Sequence, residues 1–253
     1  MSHKKIRLSK TSLLHYWKLF FRGGLFLTAT IVYIVDRVQA FHMETDFLGF
    51  LMHPYFLAFI WIVFAAEMLL RFFPSHIESK GCQKVFKRNY IPAAKPRPCR
   101  DDRKATLAIL AAWLGLNGII AVLYFTDIID VGILLLIALA YSVCDMICIL
   151  FFCPFQTWFL KNKCCGTCRI YNWDFAMMFT PLALIPHFYT WSLLGLGLAL
   201  VINWEIVWRR HPERFYEETN DALSCANCEE RLCAHKKQLH QLHKKLRELK
   251  LMK

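Results

Sequence analysis

Two Cys-x-x-Cys pairs, Cys165-Gly-Thr-Cys168 and Cys225-Ala-Asn-Cys228, have the spacing that lets two thiolates converge on one ion. Each pair alone offers two ligands, whereas a closed tetrahedral site needs four. Pooling the pairs would complete it, with Cys164, Cys233 or His235 able to replace one member. Zinc is the expected occupant. An iron–sulfur cluster is the alternative, because it also takes four thiolates and spacing does not separate the two. The plain reading is unliganded thiols, and a thioredoxin-like role lacks the strand–helix setting it needs. Cys144 and Cys148, one helical turn apart, read as small apolar fillers, while Cys153 stands beside Pro154 where it can join the cluster.

The second set of chemical candidates is carboxylates in apolar surroundings. Glu67 and Asp145 each fall inside a long hydrophobic run, where an ionised group needs a partner or a task. Arg71, one turn from Glu67, is its nearest partner; Asp145 has none within four residues and is the better functional candidate. Asn172-Trp173-Asp174 and Asn203-Trp204-Glu205 echo each other and would set two carboxylates at similar depth, with Arg209 one turn from Glu205. His42, His53 and His187 could gather on the opposite side, though scattered surface histidines are commoner. No phosphate loop, nucleophile elbow or His-Glu-x-x-His is present, so a non-enzyme is favoured.

These residues must be positioned by membrane-spanning helices. The chain is 57% hydrophobic yet carries a formal charge of +12, and the two properties are segregated into long apolar runs and basic clusters. The expected fold is all-α, a polytopic helical membrane bundle of about six transmembrane helices over 1–208. Approximate spans are 19–35, 55–73, 105–126, 131–153, 175–187 and 189–208. The last two come from splitting one long apolar region at Pro181 and Pro186. The basic start resembles a signal peptide, but Asp36 and Arg37 part the apolar run from any cleavage site, which favours an uncleaved first helix. Thirty of the 31 Lys and Arg residues lie in segments that alternate to one side, and Arg37 stands alone on the other. By the positive-inside rule both termini are cytoplasmic. Trp17, Trp158, Trp173 and Trp208 fall near the inner ends of spans, as an aromatic belt would. The cysteine pairs then face a reducing compartment, which argues for metal over disulfides.

Residues 209–253 form a cysteine-rich tail ending in a basic helix with a leucine stripe at Leu232, Leu239, Leu242, Leu246 and Leu249. Anionic lipids of the inner leaflet are its first expected partner and self-association into a homo-oligomer the second; nucleic acid is disfavoured, since no recognition motif accompanies the charge. The sequence thus yields an integral membrane protein with a cytoplasmic metal site that links the loop between spans four and five to the tail. The alternatives are a small transporter of a cation or proton that uses the intramembrane carboxylates, and a membrane redox protein.

Overall fold

A computed structural model describes residues 9–39, 54–75, 78–162, 164–228, 230 and 236. Its elements are α1 (Lys10–Gln39), α2 (Pro54–Leu70), a short α3 (Lys80–Gln83), α4 (Arg103–Phe125), α5 (Val131–Leu150), α6 (Asp174–Phe179) and α7 (Phe188–Arg210), with short 3-10 turns and a π-helical segment (Phe155–Leu160) between and after them. Among the described residues no strand forms; Pro92 and Asn220 share one isolated bridge. Four segments are long and apolar enough to cross a membrane: Thr11–Arg37, Arg103–Phe125, Val131–Leu150 and Phe188–Arg210. Their outward faces carry Leu27, Ile31, Leu114, Ile119, Val122 and Ile202, all exposed, a display suited to lipid rather than water.

Helix starts follow local chemistry. Ser9 Oγ accepts from Ser12 N at the head of α1, Asp130 Oδ1 accepts from Ile133 N at the head of α5, and His187 Nδ1 accepts from Tyr189 N at the head of α7. Asp127, at φ 56°, takes the left-handed conformation that folds α4 back into α5. At that end of the bundle Arg37 pairs with Asp130, to which Tyr33 also donates, fastening α1 to α5.

Three of the expected segments appear with other helix bounds. The first helix starts at Lys10, ahead of residue 19, and takes Lys18 and Arg22 to carboxylate partners inside the bundle. The second emerges as Pro54–Leu70, a 17-residue helix about 25 Å long at 1.5 Å per residue, short of a comfortable crossing. The segment expected as span 175–187 is a six-residue α6 followed by a 3-10 turn over Thr180–Leu184. Pro181 cannot donate to the ladder, and Thr180 Oγ1 instead bonds Ala176 O. Close packing replaces length there: a Cβ on Gly197 of α7 would lie 3.0 Å from Ala176 N.

The core has two principal parts. Phe64, Met68, Leu134, Phe175, Met178 and Leu200 fill the middle of the bundle. Val85, Ile109, Leu160, Trp173, Trp204 and Phe215 form a second core where the Lys- and Arg-bearing loops gather, here termed the basic end. Lys84 pins this cap. Buried between the Trp204 and Phe215 rings, its ammonium donates to Gly166 O, Cys168 O and Phe215 O at 3.1, 2.8 and 3.4 Å. Burial pulls Lys84 down to about 8. Arg169 completes the cap by a bidentate pair with Glu205 at 2.8 and 2.6 Å. Glu205 therefore answers to Arg169, not to Arg209 as its spacing suggested.

Candidate functional site

His15, Lys18 and Arg22 lie on one face of α1, at offsets of three and seven residues. That face meets Glu67 of α2, Arg71 just beyond it, Asp145 of α5 and Asp174 at the start of α6. Arg22 is 1% exposed. One of its guanidinium nitrogens donates to Glu67 Oε2 at 2.8 Å, and the other to Asp145 Oδ2 at 3.1 Å and Ser142 O at 3.3 Å. Lys18 reaches Glu67 at 3.7 Å and Glu78 at 3.5 Å. Arg71 joins Glu78 at 3.8 Å and Asp174 at 2.7 Å, and donates to Asn172 Oδ1 at 3.2 Å. Phe175 lies between the two guanidiniums, 5.8 Å from Arg22 and 4.4 Å from Arg71. The result is one continuous chain of ion pairs running through the bundle near its basic end.

The chain holds three cations, Lys18, Arg22 and Arg71, against four carboxylates, Glu67, Glu78, Asp145 and Asp174. Among the described residues the formal count therefore shows one carboxylate more than cations. Among the described residues three polar groups in or beside it lack hydrogen-bond partners: the two ring nitrogens of the buried His15, Arg71 Nε and Asp174 Oδ2. Such orphans are costly in an apolar interior.

Glu67 and Asp145, the two carboxylates flagged in the sequence, are thus brought together, but by a residue the sequence reading left out. Asp145, which has no partner along its own helix, and Glu67, expected to pair with Arg71, share Arg22; Arg71 turns to Asp174 and Glu78. The available signal was the His15, Lys18, Arg22 stripe, which continues a polar face into an apolar run. Of the two echoed tripeptides, one supplies Asp174 to this network, and the other supplies Glu205 to the cap.

A cavity of ≈ 130 Å³ adjoins the network. Asp145 and Asp174 border it, together with the thiols of Cys144, Cys148, Cys153, Cys165 and Cys168, and its remaining wall is largely apolar. Cys144, which is exposed, and Cys148, which is half-buried, are thus cavity-lining residues, and Cys153 joins them. Burial pushes the Cys165 thiol up to about 11 and Cys168 up to about 12, so both are protonated at neutral pH. Lys236 of the tail donates to Cys165 Sγ at 3.3 Å and to Cys148 O at 2.9 Å.

The two Cys-x-x-Cys pairs do not assemble as one set of ligands among the described residues. Cys165 and Cys168 border the cavity. Cys225 is exposed, and Cys228 borders a smaller pocket with Cys164 and Cys165. No group of three Cys, His, Asp or Glu able to hold a metal ion occurs among the described residues. Cys233 and His235 lie outside them, as do His42, His53 and the leucine stripe of the tail. His187 caps α7. No protein-family model, curated protein or solved structure matches this chain.

Proposed function

We propose that this is a membrane carrier that binds and moves a proton or a small cation through its intramembrane carboxylates. The observation that carries the reading is the excess of carboxylates over cations in the ion-pair network, buried beside a cavity in a bundle with four membrane-length helices. A low-dielectric interior penalises an uncompensated charge, and one proton or one monovalent cation restores balance. Asp145 is the residue best placed to answer that uptake, because it borders the cavity and is held by Arg22. Protein reconstituted in liposomes should dissipate an imposed proton or alkali-cation gradient. Asp145→Asn should cut that flux at least tenfold while leaving yield and gel-filtration behaviour unchanged. Equal flux through the variant, or none through the wild type, refutes the reading.

A second reading rests on a separate observation: Cys164 and Cys165 of the loop and Cys228 of the tail line a common pocket at the basic end, without forming a ligand group among the described residues. A zinc ion there would need Cys233 or His235 to join them, and two or more thiols would have to lose protons on binding. Purified protein with about one zinc per chain, lost in Cys228→Ser, supports this clamp. Iron in its place points to the cluster, and neither metal refutes it.

A further inference from the structure

We infer that the cavity beside the network is a binding site for a small organic cation, a protonated amine with an apolar body. This rests on the carrier reading above and narrows its substrate. Three features of the cavity converge on that class. First, two carboxylates stand at one edge, Asp145 and Asp174, in a network with one more carboxylate than cations among the described residues, while the Lys236 ammonium is engaged at the other rim by Cys165 Sγ and Cys148 O. Second, Asp174 has a side chain only 8% exposed, and its Oδ2 has no hydrogen-bond partner. A buried carboxylate oxygen in that state is an acceptor short of one donor, and an ammonium supplies both the donor and the missing charge. Third, the rest of the wall suits a hydrocarbon body and the flank of a cation: Trp113 and Tyr141, ring centroids 4.7 Å apart, with Met177, Met178 and Phe155.

Size agrees with the chemistry. A cavity of about 150 Å³ holds a benzene ring, and this one measures ≈ 130 Å³. A short branched or small cyclic alkylammonium therefore fits, smaller than benzene with a methylammonium arm, whereas a hydrated inorganic ion would leave the apolar wall without a partner. An anion is disfavoured by both carboxylates, and a neutral ring leaves Asp174 Oδ2 unpaired.

The probe is isobutylammonium, compared with neutral isobutanol and anionic isobutyrate, in binding titrations on full-length protein in nanodiscs. Isobutylammonium should bind at least tenfold more tightly than isobutanol, and isobutyrate should not bind. It should also slow alkylation of the more accessible cavity thiols, Cys144 and Cys153, by a maleimide, read by mass spectrometry on the wild-type chain. Met177→Trp, which fills the cavity and leaves every charge in place, should abolish both effects. Asp174→Asn should remove the preference for the amine but keep the weak binding of the alcohol. Should Asp174→Asn fail to fold, Met177→Trp and thiol protection decide alone. Equal binding of amine and alcohol, no binding of either, or protection that survives Met177→Trp overturns the inference. Gradient dissipation without amine binding leaves the carrier reading standing and removes only this one; amine binding without flux removes the carrier reading instead.

Discussion

Arg22 occupies the centre of the network, bridging Glu67 and Asp145 from within α1. Its net value is not the sum of its contacts, because two carboxylates and a guanidinium must be dehydrated to form them. Removing one partner is a different matter. Arg22→Met keeps the aliphatic bulk but removes the one cation hydrogen-bonded to Asp145 among the described residues, leaving it beside the cavity and Asp174 with only the more distant Arg71, and lost buried partners of this kind cost about 3–5 kcal/mol. The expected outcome is a sharp fall in thermal stability in detergent. Adding Asp145→Asn to Arg22→Met removes the stranded charge, so the double variant should be more stable than Arg22→Met alone. A strictly additive double variant shows instead that Arg22 and Asp145 do not act as a pair. Lys18 keeps Glu67 partnered in both variants, so the cycle isolates the Asp145 bond.

At the scale of elements, the sequence was most informative where composition alone decides the outcome. The runs that became α4, α5 and α7 are continuous, bounded by Asp130, Pro154 and Pro186, and long enough to cross a bilayer whatever their neighbours do. Glu67 and Asp145 stood out for the same reason, as charges in apolar surroundings. What composition hides is partnership. Arg22 falls within the expected span 19–35 without a role, because a one-dimensional reading cannot know that three carboxylate-bearing elements converge on that face of α1. The Cys165 loop looked like half of a metal site, because spacing reports which thiols can turn toward one ion and not what else packs there. In the fold, Gly81 meets Gly166 so closely that a Cβ on it would lie 3.0 Å from the Gly166 Cα. Lys84 holds the same loop by two carbonyls, and this cap fixes Cys165 and Cys168 against α5. Such tertiary restraints leave no periodic trace. Pro181 and Pro186 did leave one, and they explain why α6 is short, but not that Ala176 and Gly197 would bring it tight against α7.

The whole molecule is polarised. The start of α1, the ends of α2, α5 and α7 and the start of α4 all meet the loops of the basic end. Cross-links there include Ser9 Oγ to Glu230 O at 2.7 Å, Ala93 N to Thr219 O at 3.1 Å and Arg214 to Val85 O at 3.2 Å. These segments are therefore expected on one side of a membrane. They also hold nearly all of the Lys and Arg residues, while the opposite end offers Arg37, already paired with Asp130. Cytoplasmic retention of basic loops then predicts which side. The expected topology has both termini in the cytoplasm and six passes, the shortest formed by the 171–187 segment. A reporter inserted after Lys163 and one fused at the C-terminus should both read cytoplasmic, and one placed in the Asp127–Asp130 turn should read external. The decisive comparison is between the first two, because the short segment and α7 separate them. If 171–187 turns back within the membrane instead of crossing, α7 alone carries the chain over, and the two reporters fall on opposite sides. That result would break the cross-linked basic end as well, since Lys84 bonds to both Cys168 O, before the segment, and Phe215 O, after α7. Agreement between the two reporters leaves the cap intact on one face, with the ion-pair network and the cavity just beneath it.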